Sequence, residues 1–166
     1  MANLIGIPLL TLFAILQSTL IVYVRLLDGR PDLVLLTVVS WSLAGRAEEA
    51  MLWGAVGGLL LDLLSGYPLG STALILILIA FLVSLAEGRL WEINLVLPLG
   101  VMLAASLIFH YLGLLTLPLL GRQIDLLFAT ARVILPSTFL NMLLALPAFQ
   151  LAQGLKNRLY PPEVEI

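Results

Sequence analysis

Apolar residues fall in long blocks divided by short polar clusters, a pattern that predicts membrane-spanning helices of about 20 residues each. The first block, over about 3–24, is broken only by Pro8, Gln17 and a few hydroxyls, and it ends in the polar cluster Arg25 to Asp32. Met1 to Leu4 carries no side-chain charge and the block lacks an Ala-x-Ala end, so it reads as a retained helix rather than a cleaved signal peptide. A second helix over about 31–45 opens at Pro31, which suits a first turn. It is short for a span, so it tilts little or is shielded by neighbours. Helices over 51–65 and 71–86 form a hairpin around the turn Gly66-Tyr67-Pro68-Leu69-Gly70. A fifth helix covers about 95–117, and a sixth about 133–152 with Pro136 and Pro147 inside it. Between them, 118–131 mixes Arg122, Gln123 and Asp125 with leucines at partly helical spacing, which fits a short helix lying in the interface. The expected architecture is an all-α polytopic membrane protein, a single integral membrane domain over 1–166 with six crossings and both termini on one side.

Composition narrows the function. The chain is 61% hydrophobic and 11% charged, with mean hydropathy +1.13, far from the soluble norm of roughly half apolar and a quarter charged. Six crossings leave little for an extramembrane domain, so the chain acts within or flush with the lipid bilayer. A net charge of −2 and eight scattered Lys and Arg exclude a nucleic-acid surface. With no cysteine and a lone histidine, disulfides, thiol chemistry and Cys or His metal clusters are excluded, and no cofactor or metal is expected. The His-Glu-x-x-His, Gly-x-Ser-x-Gly and Walker patterns are absent, and an intramembrane aspartyl site would need two acids. No catalytic residue is expected. Loop charge leaves the direction open: Arg46, Arg89, Lys156 and Arg158 on the terminus side balance Arg25, Arg30, Arg122 and Arg132 on the other. Trp41, Trp53 and Trp91, with Tyr23, Tyr67 and Tyr160, lie near predicted helix ends, as interfacial aromatics should. The two halves show no inverted repeat of the transporter kind.

Asp62 stands out among the polar residues at membrane depth. Gly54, Gly58 and Asp62 are successive i, i+4 positions and form one stripe, which Gly66 continues. Small residues at this spacing let another helix approach closely, and a carboxylate on the same stripe faces protein rather than lipid. Three roles remain open for Asp62: bonding the backbone of the turn after Ser65 or a neighbouring helix, coupling a proton or ligand, or contacting a partner. The first is preferred. His110 has no acid at helical spacing to orient it and reads as a satisfied core or interface histidine. Gln17, Ser106, Asn141 and Gln150 read as interhelical hydrogen-bond formers, and Arg46, Glu48 and Glu49 as a solvated loop.

The run Arg30-Pro31-Asp32 opening the second helix, then Gly54-x-x-x-Gly58-x-x-x-Asp62, then the Gly66 to Gly70 turn, resembles the rod shape-determining protein MreD family. The match extends from about Arg30 to Ser84, with length and helix count agreeing elsewhere. The resemblance implies a non-catalytic scaffold of the bacterial cell-elongation machinery in the inner membrane, with cytoplasmic termini. The implied partners are the single-span protein MreC, together with RodA and a class B penicillin-binding protein. The fold of that family is similar to the six-helix substrate-binding subunits of energy-coupling-factor vitamin transporters, which supplies a rival reading. In those subunits helix one carries small residues at four-residue spacing; here helix one offers Ala14 and Ser18, and the following loop is poor in aromatics, so the scaffold reading is preferred. On that reading Gly54, Gly58, Asp62, Gly66 and Gly70, with Pro31 and Asp32, are the packing or partner-contact positions, and internal packing of the third helix is the role expected.

Overall fold

A computed structural model describes residues 2–19, 23, 26–85, 96–121 and 125–161, apart from the Leu119 side chain. Of the positions singled out above, Arg25, Arg89, Trp91, Arg122 and Gln123 lie outside these residues. The described residues form an all-helical bundle of six helices: α1 Ala2–Thr19, α2 Leu33–Leu43, α3 Ala47–Ser65, α4 Ser71–Leu85, α5 Val96–Thr116 and α6 Leu126–Leu159. By length and composition α1, α5 and α6 are sufficient to cross a membrane, while α2 and α4 are shorter apolar helices.

The bundle is built around α2, which packs against each of the other helices. It has 11 residues, about 17 Å at 1.5 Å per residue, too short to match hydrocarbon thickness. Its residues Val34, Leu35, Leu36, Val38, Val39 and Trp41 are all buried, so protein, not lipid, surrounds it and its length is free of the bilayer. Pro31 is not in the first turn: Asp32 is the N-cap residue and Leu33 the first helical one. On α1 the buried positions are Ala2, Gly6, Leu10 and Ala14, a stripe at four-residue spacing. A Cβ on Gly6 would overlap the Trp53 indole, so α1 meets α3 at a distance that glycine sets.

The segment 118–131 is not one interfacial helix. Pro118–Leu120 is a 3₁₀ turn closed by Gly121 at φ 70, and Leu126–Ala129 already belongs to α6. Asp125 starts α6 ahead of position 133 because its carboxylate caps the helix, accepting from the Phe128 amide at 3.0 Å. The helix then passes through a π-helical turn, Thr130–Ile134, into the long stretch Leu135–Leu159. Pro136 explains part of this, since it has no N–H to offer the Arg132 carbonyl one turn back. That carbonyl accepts instead from the Asp28 amide at 3.1 Å.

The end of the bundle that holds the starts of α1 and α3 and the ends of α2 and α6 is closed by an aromatic and ionic knot. Trp41 and Trp53 stack with ring centroids 4.5 Å apart, and each is 1% exposed, so both belong to the core rather than to an interfacial belt. Trp53 Nε1 donates to Asn3 Oδ1 at 3.0 Å and Trp41 Nε1 to Glu49 Oε2 at 3.0 Å. Glu49 also receives Arg46 at 2.6 Å and the Tyr160 hydroxyl, and the Arg46 guanidinium lies 3.8 Å from the Tyr160 ring centroid. Arg46 and Glu49 therefore form no solvated loop. Glu49 lies in the first turn of α3, ahead of its apolar stretch. Burial pushes its carboxyl up, but hydrogen bonds from Arg46, Tyr160 and Trp41 outweigh burial and hold it below the usual carboxylate range.

Candidate functional site

The chemistry-bearing residues gather at the opposite end, in two adjoining groups. The first is the α3–α4 hairpin. A Cβ on Gly58 would overlap the Ala73 backbone, and one on Gly54 would lie 3.1 Å from the Leu76 carbonyl carbon, so the two helices touch backbone to backbone at these glycines. Gly66 ends α3 in the left-handed conformation at φ 68, donating its amide to the Asp62 carbonyl, and Gly70 enters α4 at φ 90. Both backbones need what glycine alone adopts without strain. The Asp62 side chain, 1% exposed, reaches across the turn to the start of α4. Its Oδ2 accepts from the Gly70 amide at 2.8 Å and its Oδ1 from the Thr72 amide at 3.1 Å, with the Ser71 hydroxyl at 3.4 Å. A carboxylate there satisfies amides that have no partner within their own helix and meets the positive end of the α4 dipole.

Another glycine faces the other way. A Cβ on Gly57 would lie 2.7 Å from Val34 Cγ1 and 3.3 Å from Leu10 Cδ2, so α3 is close-packed toward α1 and α2 as well. The sequence signal was present, since Gly57 adjoins Gly58, but a stripe at four-residue spacing picks out one face at a time.

The second group joins four elements. Asp32 does not cap its own helix; its carboxylate points into the bundle. Oδ1 accepts from Gln17 Nε2 at 3.1 Å, while Oδ2 accepts from Asn141 Nδ2 at 3.2 Å and lies 3.3 Å from His110 Nε2. Gln17 Oε1 in turn takes the Val34 amide at 3.2 Å, so α1 caps α2 in place of Asp32. Asn141 Nδ2 also donates to Ser106 Oγ at 2.8 Å, and Asn141 Oδ1 accepts from the Asp32 amide at 2.8 Å. His110 Nδ1 lies 2.7 Å from the Ser106 carbonyl. A carbonyl only accepts, so Nδ1 carries a hydrogen and Nε2 is the nitrogen that faces the Asp32 carboxylate. The acid that orients His110 comes from another helix, which explains why no helical spacing in the sequence shows it. Gln17, Ser106 and Asn141 join helices as their residue types suggest, whereas Gln150 is exposed and makes no such bond.

The loop before α2 is laid along α6. Amides of alternate residues donate to it: Asp28 to the Arg132 carbonyl at 3.1 Å, Arg30 to Ser137 Oγ at 2.9 Å and Asp32 to Asn141 Oδ1 at 2.8 Å. Gly29 lies against α6, where a Cβ would come within 2.5 Å of the Ser137 nitrogen. Between this loop, the ends of α1, α3 and α5, and the starts of α4 and α6 is a cavity of about 620 Å³ that has Asp32 and His110 in its wall.

Against known families, the chain matches the model described as rod shape-determining protein MreD over residues 2–155. The chain belongs to the MreD family. No curated protein and no solved structure matches it. Membership in the MreD family assigns the chain to rod-shape determination, and its long apolar helices make it a membrane protein.

Proposed function

We propose that the chain is a non-catalytic scaffold of the bacterial cell-elongation machinery, lying in the inner membrane with cytoplasmic termini and holding the transmembrane helix of an MreC-like protein. Through that helix it supports a peptidoglycan-synthesis complex with a RodA-like glycosyltransferase and a class B penicillin-binding protein. The observation that carries this reading is the MreD family match across residues 2–155. The motif residues support a particular division of labour. Gly54 and Gly58 face α4 from within the bundle, Asp62, Gly66 and Gly70 shape the hairpin, and Pro31 and Asp32 begin α2 beside α6. Their part is to make the bundle rigid, so that the partner helix meets a preformed surface. Association of helices in lipid depends on packing and interhelical hydrogen bonds rather than on hydrophobic burial, so a preformed surface lowers the ordering cost of binding.

Co-purification from membranes with a tagged MreC-like single-span protein is the test. Recovery of the pair supports the scaffold. A folded chain that never retains the partner overturns it, as does thermal stabilisation by a water-soluble vitamin, which would fit a substrate-binding subunit of an energy-coupling-factor transporter instead.

A further inference from the structure

The cavity has no part in that scaffold role, and its size falls within the range of small-molecule sites, about 300–1,000 Å³. Its inner wall and its rim differ in chemistry. In the wall, the Asp32 carboxylate is already engaged by Gln17, Asn141 and the His110 ring, so its oxygens are occupied by protein groups. At the rim, the exposed residues Asp28 and Arg30 carry opposite charges two positions apart. Both backbones are fixed to α6 through their amides, and neither side chain has an ion-pair partner among the described residues. A pair of unlike charges two positions apart on an anchored backbone, with no ion-pair partner among the described residues, matches a group that carries one charge of each sign.

The rim also has an apolar side. Leu64 and Phe128 line the cavity and are also 49% and 54% exposed. Both are exposed apolar side chains beside the opening, a surface suited to acyl chains. An occupant that arrives from the bilayer keeps its apolar part in contact with these side chains throughout.

We propose that this cavity seats the head of a zwitterionic phospholipid, with the phosphate on Arg30, the ammonium on Asp28 and the acyl chains leaving past Leu64 and Phe128. The guanidinium fork suits phosphate oxygens, and a carboxylate suits an ammonium. Ser65 and Tyr67, which also line the cavity, offer hydroxyls to the remaining phosphate and glycerol oxygens. An anionic head would set its uncompensated charge against Asp28.

Delipidated protein in detergent is titrated with phosphatidylethanolamine, phosphatidylglycerol and soluble phosphoethanolamine, with native mass spectrometry and thermal melting as readouts. One phosphatidylethanolamine is expected per chain, held about tenfold more tightly than phosphatidylglycerol, the size of one charge-assisted contact. Asp28→Asn should erase that preference and Arg30→Gln should weaken both lipids. Gly113→Leu is the variant expected to fold: Gly113 lines the cavity, and a Cβ there meets nothing within 4 Å, so a larger side chain has room and should block the lipid. Equal binding of the two lipids, full binding by Gly113→Leu, or soluble phosphoethanolamine matching the lipid would each overturn the proposal. The measurement needs no partner protein, so its failure leaves the scaffold reading untouched.

Discussion

The two ends of the bundle handle polar side chains in opposite ways. At the terminus end, Trp41, Trp53, Asn3, Arg46, Glu49 and Tyr160 bond to one another until the space between four helices is full. At the loop end, Asp32, Gln17, His110 and Asn141 also join four elements, but they stand in the wall of a void, with Asp28 and Arg30 at its rim. Both networks tie distant parts of the chain together. One does so by excluding everything else, while the other leaves room of molecular size beside it, so rigidity and vacancy coexist within a few turns of helix.

The largest test of this contrast compares two glycines. Gly58→Leu should cost more than about 3 kcal/mol, the upper range for overpacking, because α4 backbone occupies the site; low yield and a depressed melting temperature in detergent would show it. Gly113→Leu, facing open space, should stay within about 0.5 kcal/mol. Equal damage from both would dissolve the distinction between filled and open regions. Next, Asp32→Ala should cost about 3 kcal/mol, since it strands His110, Gln17 and Asn141 together. Asp62→Leu should be of similar size. Asp62→Asn should fall between Asp62→Leu and the parent, because an amide keeps one accepting oxygen where the carboxylate uses two.

A smaller effect belongs to the closed end and to pH. The Glu49 carboxyl is held below its unfolded value, so its contribution is complete above the ordinary carboxylate range and is lost as pH falls through the folded value. Melting temperature should therefore drop on acidification below about pH 4. Glu49→Gln should melt lower at pH 7 and show a shallower acid step. Smallest of all, Gln150→Ala should leave melting within about 0.5 kcal/mol of the parent, because the side chain is exposed and joins nothing.

The six helices were legible because each is an apolar block bounded by polar or glycine-rich clusters, although only α1, α5 and α6 have the length and composition that hydrocarbon imposes. The hairpin was legible too: Asp62, Gly66 and Gly70 lie close in sequence, and the contacts of Asp62 span no more than ten residues. The loop-end network was not. Asp32 and Asn141 are 109 positions apart and Gln17 and Asp32 belong to different elements, so each polar residue taken alone resembles an isolated core group. The tryptophans misled for a related reason. A helix end usually marks the membrane interface, but α2 is short and enclosed, so Trp41 at its end lies in the protein interior. The start of α6 carried a local sign in Asp125, which the surrounding Arg122 and Gln123 obscured.

The amides that bind the 28–32 loop to α6 come from every second residue, and their acceptors are fixed points on a helix. A connector held in this way has a register. Inserting one residue between Asp28 and Asp32 would turn the intervening amides to the opposite side, withdraw the Asp32 carboxylate from His110 and carry Arg30 off the rim, all without changing a single side chain. Length in this short stretch is thus as strict a requirement as identity.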